Sequence, residues 1–291
     1  MINSPLNYAG NKAKLIKQIV ELMPTDINVF VDAFCGSCLV AYNSGAKKII
    51  CNDVNKHILD LVQYLVNSDP ETVISSMDNI IKKYSFTDST NPNNEYVEVK
   101  HEGLSKYNKK PYEALKNDYN KNRNVELLFA LVIFGFNHYL RFNSEGLFNV
   151  PVGKVDFSNS LRQKTREFIN NSKKYKADFI VGSYLNENLY KNLDNNSFVY
   201  FDPPYLVTTA PYNSFWTQED DIKLFDLFDK LSNRGLKVAM SNVFLSNGKE
   251  NKKLIEWSRK YNVHILKRQY RNANYQKKNV TDSIEVLITN Y

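Results

Sequence analysis

The feature that most constrains the fold of this chain is an alternation of short apolar strands with helical segments. Residues 28–32 and 48–51 are predicted to form buried strands, separated by a turn at 34–37 and a short helix at 39–43. An amphipathic helix is predicted before this unit, from Lys12 to Met23, and a second one after it, from 54 to 67. Strand, turn, helix and strand in this order are typical of a βαβ unit, so the sequence predicts an α/β fold.

The α/β pattern is interrupted by a long insert. Residues 85–124 are polar, rich in Asn, Lys and Tyr, and show no clear periodicity, whereas 124–136 is predicted as an apolar helix and 141–154 as a turn-rich loop. The alternation then returns, with strands predicted at 179–181, 198–201, 236–240, 263–266 and 284–288 and helices at 217–231 and 252–261. We therefore predict an α/β domain made of residues 1–68 and 175–291, with residues 69–174 forming a helical domain.

The tetrapeptide Asp202-Pro203-Pro204-Tyr205 directly follows the predicted strand that ends at Phe201. Open α/β sheets bind ligands at the carboxyl ends of their strands. Asp202 can accept a hydrogen bond from an exocyclic amino group, and Pro204 holds Pro203 extended so that the Pro203 carbonyl can accept a second one. The lone pair of such an amine is delocalised into the ring of its base, and two hydrogen-bond acceptors would make it available for reaction. Tyr205 could stack on the face of that base. The alternative is a strand that is ended by a proline-rich turn.

Residues near the amino terminus suit an adenosine-containing cofactor. The turn after the first strand contains Phe34 and Gly36, and a small residue there lets the backbone approach a ligand closely. Asp53, at the end of the second strand, can accept from both ribose hydroxyls, or it can cap the helix that follows. Tyr8 and Lys12 could pack against the cofactor and hydrogen-bond to it, or they could belong to a flexible tail.

Composition sets limits on the partners of the chain. The formal net charge is +7, which suits a polyanionic partner but equally an ordinary basic protein. The sequence contains no stretch of about 18 apolar residues and no visible signal peptide, so we expect a cytoplasmic protein without a transmembrane helix. The three cysteines are Cys35, Cys38 and Cys51. Since the Cys-x-x-Cys pair has no second pair or His-x-His partner, no metal site is expected.

Taken together, these motifs resemble the Dam-type (D12 class) DNA N6-adenine methyltransferases in the alpha motif order, over nearly the whole chain. The resemblance rests on the segments 7–12, 32–37, 137–154, 202–205 and 277–285, together with Asp53. It implies a Rossmann-like S-adenosylmethionine-dependent methyltransferase sheet with a helical target-recognition insert. It also implies S-adenosyl-L-methionine as the cofactor, no metal, and double-stranded DNA as the partner, with the target adenine flipped out of the duplex.

The resemblance also implies roles for individual residues. The implied catalytic residues are Asp202, Pro203, Pro204 and Tyr205, and the implied cofactor-binding residues are Tyr8, Lys12, Phe34, Gly36, Asp53 and Asp202. The implied DNA-binding residues are Asn137, Arg141, Asn143, Lys154, Lys277 and Lys278. Among these, Arg141 is expected to contact guanine and Lys154 a phosphate or a base.

Some features depart from the family pattern or leave alternatives open. Tyr8 stands where many relatives have Trp or Phe, Cys35 and Cys38 stand where residues are often small or aliphatic, and residues 85–124 do not align, which leaves the target sequence undetermined. An RNA or protein-glutamine methyltransferase remains open, although protein-glutamine enzymes usually carry Asn where this chain has Asp202. An inactive methyltransferase-fold regulator that binds DNA, and a cognate restriction endonuclease as partner, also remain open.

Overall fold

The computed structural model of the chain describes residues 1–6, 8, 10–93, 103–208, 215–267 and 283–291. These residues form two compact units. The sheet unit consists of Met1, Lys12–Val54 and Tyr175–Tyr291, and the helical unit consists of Ile2–Asn11 and Asn55–Lys174.

Within the described residues, the sheet unit contains one eight-stranded sheet. Its strands are β1 (Val29–Asp32), β2 (Lys48–Asp53), β3 (Lys176–Val181), β4 (Ser197–Phe201), β5 (Lys237–Ser246), β6 (Lys249–Glu250), β7 (Asn262–Leu266) and β8 (Ile284–Thr289). The strand order is β3-β2-β1-β4-β5-β8-β7, and β6 pairs with β5. Strands β1 to β5 are mutually parallel, and β8 runs antiparallel between β5 and β7. The predicted Rossmann-like α/β sheet is therefore confirmed.

The central strands are apolar on both faces, as expected for parallel strands that are covered on both sides. Phe30 and Val31 of β1 and Val199 of β4 are fully buried. The helices of this unit are α1 (Ile16–Glu21), α7 (Gln218–Asn233) and α8 (Lys252–Ser258). Helix α7 begins with a capping box between Thr217 and Asp220, and its apolar face joins the core formed by β1, β4 and β5.

The strand order reverses between β1 and β4. The chain leaves β1 toward β2 and β3 on one side of the sheet, and then returns to β4 on the other side of β1. In an open parallel sheet this reversal leaves a crevice outside the carboxyl ends of the two strands, where ligands bind. The residues that end β1 and β4 are Asp32 and Phe201, so Asp202 is the first residue beyond β4 at this crevice.

The helical unit is built around one apolar helix. It contains α2 (Lys56–Asn67), α3 (Pro70–Tyr84), α4 (Ser105–Asn122), α5 (Val125–Phe134) and α6 (Asn159–Ser172). Helix α5 is buried from Leu128 to Phe134 and packs against α2, α3 and α4. It begins at Asn124, whose side chain accepts hydrogen bonds from the amides of Glu126 and Leu127. No helix in the described ranges is both long and apolar enough to cross a membrane.

The structure differs from the sequence-based expectation in its unit boundary. We expected the helical domain to begin at residue 69, but the helical unit begins at Asn55 and also includes Ile2–Asn11. The reason for the first difference is that the apolar face of α2 packs against α5 and α6. A hydrophobic stripe predicts that a helix is buried, but it does not identify the surface that covers it.

Three helical segments also differ in length from the sequence-based expectation. The polar stretch 85–124, which has no obvious periodicity, contains the 18-residue helix α4, and its buried side chains Tyr112, Leu115 and Tyr119 share one face. Helix α1 covers only six residues of the predicted 12–23 segment, and the predicted helix at 39–43 is a single 3-10 turn over Ala41–Asn43. Of the four buried residues of α4, two are tyrosines and one is Asn108, within a stretch rich in Lys and Asn, so the apolar pattern is weak.

Candidate active site

Asp202 lies at the carboxyl end of β4 and is held by two charged or polar neighbours. The ammonium group of Lys12 donates to Asp202 Oδ2 at 2.6 Å, and the hydroxyl of Tyr205 donates to Asp202 Oδ1 at 2.9 Å. The Lys12 side chain is almost fully buried, whereas the Asp202 side chain is 16% exposed. The structure therefore brings Lys12, from the amino-terminal motif, into direct contact with Asp202, and Asp202 into contact with Tyr205 of its own tetrapeptide.

A second acid, Glu285, completes this group, which we call the Asp202 cluster (Lys12, Asp202, Tyr205 and Glu285). Glu285 is a buried residue of β8, with Oε1 3.2 Å from the Tyr205 hydroxyl and 4.0 Å from Lys12 Nζ. The Lys12 ammonium also lies 5.0 Å from the centre of the Tyr205 ring, which is a cation–π distance. We did not predict Glu285 as a site residue, although an acid inside the apolar run Ile284–Ile288 is a usable signal, since buried acids usually have partners.

The electrostatics of the cluster act on the pKa values of Asp202 and Tyr205. Burial raises the pKa of Asp202, and the Lys12 ammonium acts in the opposite direction, favouring the carboxylate. Burial, followed by the charges of Asp202 and Glu285, raises the pKa of Tyr205 well above its ordinary value. Tyr205 therefore remains a hydrogen-bond donor at neutral pH, and each carboxylate oxygen of Asp202 retains lone-pair capacity for a further donor.

Asp53 anchors the turn that follows β1. The Gly36 amide donates to Asp53 Oδ2 at 2.9 Å, and Gly36 has a φ of 47°, in the left-handed region that favours glycine. Helix α2 is instead capped by Asn55, whose side chain accepts from the His57 amide. The alternative role of Asp53 as a helix cap is therefore wrong. Asp53 presents a buried carboxylate at the carboxyl end of β2.

An aromatic wall lines the same end of the sheet. The half-buried Phe34 ring lies 4.9 Å from the ring of Tyr184 and 5.7 Å from that of Trp216, centre to centre. The Trp216 indole donates to Asp221 at 2.7 Å, which fixes its orientation. Asn52 ties the strand ends together, because its side-chain amide donates to the carbonyls of Ala33 and Gly182. Phe34, Gly36 and Asp53 thus lie at the carboxyl end of the sheet, where ring contacts and the hydrogen bonds of Asn52 hold the strand ends in place.

Tyr8 belongs to the helical unit. Its hydroxyl lies 3.4 Å from Asn55 Nδ2, within that unit. Its neighbours at positions 7 and 9 lie outside the described residues, as do Lys277 and Lys278. The predicted roles of Tyr8, Lys277 and Lys278 therefore stay predictions.

The segment 137–154, which carries part of the family resemblance and includes the predicted turn-rich loop, forms a hairpin in the structure. Bridges pair Gly135 with Val152 and Phe142 with Phe148. The His57 ring of α2 stacks on Phe142 with ring centres 4.0 Å apart, which anchors the hairpin to the helical unit. Asn137 is exposed at its base, with a φ of 52°.

The predicted DNA-contacting side chains of the hairpin are exposed, and two of them have internal partners. Arg141 donates through Nε to Asn149 Oδ1 at 2.9 Å and through Nη2 to the Asn149 carbonyl at 3.0 Å. Asn143 forms the turn, because its Oδ1 accepts from the amides of Glu145 and Leu147. Lys154 is exposed, and its carbonyl accepts from the Leu104 amide. The hairpin is therefore a preorganised surface that carries polar side chains.

With this geometry established, comparison with known proteins identifies the family. The family of D12 class N6 adenine-specific DNA methyltransferases matches residues 8–272, and the chain belongs to it. Type II methyltransferase M.FokI of Planomicrobium okeanokoites and modification methylase StsI of Streptococcus sanguinis are each 37% identical over 300 residues. Each match covers 100% of this chain but 43% of the relative, so the chain spans less than half the length of these two proteins.

A shorter relative matches over most of its own length. A DNA adenine methylase of Vibrio cholerae is 27% identical over 244 residues, which cover 81% of this chain and 80% of that protein. Family membership thus rests on a match that includes both described units.

We predict that Lys12→Met raises the pKa of Asp202 further. Burial already favours the neutral carboxyl, and the substitution removes the ammonium group that favours the charged form. Carbon-13 NMR titration of the aspartate carboxyls would measure the shift. Lys14→Met, which removes an exposed lysine two residues away, is the matched control and should leave Asp202 unchanged. An Asp202 titration that is the same in Lys12→Met and in the wild-type protein would contradict the prediction.

Proposed function

We propose that this chain transfers a methyl group from S-adenosyl-L-methionine to N6 of an adenine that is flipped out of double-stranded DNA, at a specific sequence. The observation that carries the proposal is the Asp202 cluster at the reversal point of the sheet, within a chain of the adenine-specific family. Asp202 is an acid of raised pKa at a ligand-binding edge, which is the environment expected of a functional carboxylate.

The residues at the strand ends fit the cofactor. Asp53 places a carboxylate where ribose hydroxyls can donate to it, and Gly36 presents a side-chain-free backbone beside it. The Phe34 ring, with Tyr184 and Trp216 behind it, offers an apolar face for a planar base. When bound, the cofactor supplies a methyl group on a positively charged sulfur. The carboxyl groups of Asp53 and Asp202 at this edge can interact favourably with that charge.

Asp202 would act on the adenine amine by accepting a hydrogen bond from it. The Pro203 carbonyl, held extended by Pro204, supplies the second acceptor in this proposal. Lys12 favours the ionised form of Asp202 against the effect of burial, and Tyr205 fixes the orientation of its carboxyl group. As the amine gains a methyl group it must lose a proton, and the raised pKa of Asp202 suits it to accept that proton.

The hairpin and the basic charge suit DNA. The formal charge of +7 favours a phosphate backbone, and an exposed Arg141 on a braced hairpin can present its guanidinium to a guanine edge in the major groove. We propose Asn137, Asn143 and Lys154 as further DNA contacts, with Lys154 on phosphate. Because a relative is named a modification methylase, we also propose that the chain works beside a cognate restriction endonuclease in the cytoplasm.

The decisive experiment is transfer of a radiolabelled methyl group from the cofactor to unmethylated duplex DNA. Asp202→Ala should abolish the transfer, because the main acceptor for the amine is lost, while circular dichroism shows an intact fold. Asp226→Ala, which removes an exposed acid from α7, is the control and should be fully active. Turnover of Asp202→Ala within about tenfold of the wild type, a difference of about 1.4 kcal/mol in barrier, would refute the catalytic role. Label in RNA or in a glutamine peptide, but not in DNA, would instead favour another methyltransferase, and no label anywhere would favour an inactive regulator.

Asp53→Ala should weaken cofactor binding by roughly 1.5–3 kcal/mol, the scale of charge-assisted hydrogen bonds to one carboxylate. Asp53→Asn should lose less affinity, because the amide oxygen can still accept from the Gly36 amide. Asp178→Ala, on the neighbouring strand β3 with a half-exposed side chain, is the control. Titration calorimetry with S-adenosylmethionine measures all three variants. Unchanged affinity in Asp53→Ala would leave Asp53 only its structural role at Gly36.

Arg141→Ala should relax sequence discrimination by about 1–3 kcal/mol, the worth of a bidentate arginine–guanine contact. Since Arg141 also bonds to Asn149, the control is Asn149→Ala, which removes the side-chain part of that bond from the other partner. Lys154→Ala should weaken binding to every sequence and reduce the salt slope by about one. Binding to cognate and single-mismatch duplexes at several salt concentrations tests this. Equal loss of discrimination in Asn149→Ala would mean that hairpin shape, rather than the Arg141 contact, determines specificity.

A further inference from the structure

Three thiols that are separated in the sequence meet beneath the turn after β1. The Sγ atoms of Cys35, Cys38 and Cys51 all lie within 4.8 Å of one another, and all three side chains are buried. The Cys-x-x-Cys pair alone gives no reason to expect a metal site. The third thiol comes from β2, and only the fold brings it to the other two.

We propose that Cys35, Cys38 and Cys51 form a binding site for one thiophilic cation, with Zn²⁺ as the physiological ion. A zinc–sulfur bond is about 2.3 Å long, so three sulfurs around one zinc ion stand about 4 Å apart. The sulfurs need to approach one another by less than about 1 Å to reach that spacing. Three thiolates form a soft ligand set, which favours Zn²⁺ or Cu⁺ over Mg²⁺ or Ca²⁺.

Backbone contacts already hold the three sulfurs close to one another. The Cys35 amide donates to the Asn52 carbonyl at 2.9 Å, which ties the turn to the strand that carries Cys51. Cys38 has a φ of 55°, in the left-handed region, so the chain turns sharply after Gly36. As a result, the sulfurs of Cys35 and Cys38 lie at the same distance, 3.9 Å, from the Gly36 carbonyl. The turn is thus shaped before any ion binds.

The nearest acid on β1 is Asp32, which does not belong to the group of ligand atoms that lie within 4.8 Å of one another. Asp32 pairs in register with Cys51 on adjacent parallel strands, so the two side chains project from the same face of the sheet. Asp32 is 1% exposed, and its Oδ1 makes no hydrogen bond within the described part of the chain. The three sulfurs supply three of the four positions of the tetrahedral shell that zinc usually adopts.

Binding would release protons and stabilise the fold. Each thiol loses its proton when its sulfur binds the ion, so the affinity rises with pH. The site involves the turn that contains Gly36 but does not depend on the proposed methyl transfer. The two hypotheses can therefore fail independently.

The test uses the whole chain, unfolded in a chelator with reductant and refolded with Zn²⁺ or with Cd²⁺ as a spectroscopic probe. We expect about one ion per chain after dialysis, a thiolate-to-cadmium charge-transfer absorbance, and a higher unfolding temperature with the ion than without it. Cys51→Ser should lose more than about tenfold in affinity, because even loss of an outer-shell partner costs about 10–100-fold. Ser37→Ala, a buried change in the same turn that removes no sulfur, is the control and should retain one ion.

The outcomes are distinguishable even if Cys51→Ser folds poorly. In the wild-type chain, the charge-transfer intensity reports sulfur ligation, and bound ion should protect all three thiols from alkylation. Retention far below one ion per chain would overturn the proposal. So would equal retention by a folded Cys51→Ser variant, or a bound ion without charge-transfer absorbance, since each outcome places any ion away from the three thiols.

Discussion

The buried ion pair between Lys12 and Asp202 is the interaction on which the site depends. A carboxylate at the end of a central strand is driven toward its neutral form by burial, and an ammonium group at 2.6 Å opposes that tendency. Breaking such a pair leaves an uncompensated buried charge, so the two residues are needed together. Lys12 precedes β1 in sequence and Asp202 follows β4, so this one contact joins distant parts of the sheet unit at the reversal point of its sheet.

A second bracing point lies at the ends of β1 and β2. Asp53 accepts from the Gly36 amide, and Asn52 donates to two carbonyls at the ends of neighbouring strands. These contacts give hydrogen-bond partners to the Gly36 amide and to the carbonyls of Ala33 and Gly182. They also hold the turn after β1 in one conformation. A ligand edge that is fixed before binding does not have to be ordered at the moment of binding, which favours affinity.

The helical unit has its own apolar core and its own polar contacts that fix a surface segment. Helix α5 is almost entirely apolar and is surrounded by α2, α3 and α4, which gives the unit its own core. The hairpin is fixed by two cross-strand bridges, by the stack of His57 on Phe142 and by the bonds from Arg141 to Asn149. Its exposed polar side chains are therefore carried on a hairpin that these contacts hold in place.

The sequence by itself determined the α/β class, the helical insert, and the motifs at Asp53 and Asp202. These signals are local, because each depends on only a few neighbouring residues. They are the periodicity of a strand, the conformational restriction at proline, and a short sequence motif. It could not show that α2 belongs to the helical unit, that α4 exists within a polar stretch, or that Asn55 rather than Asp53 caps α2. Only the tertiary structure placed Glu285 beside Tyr205 and Cys51 beside Cys35 and Cys38. The physical reason is that these contacts depend on strand order and on which surface covers a given face, and both follow from the packing of the whole chain.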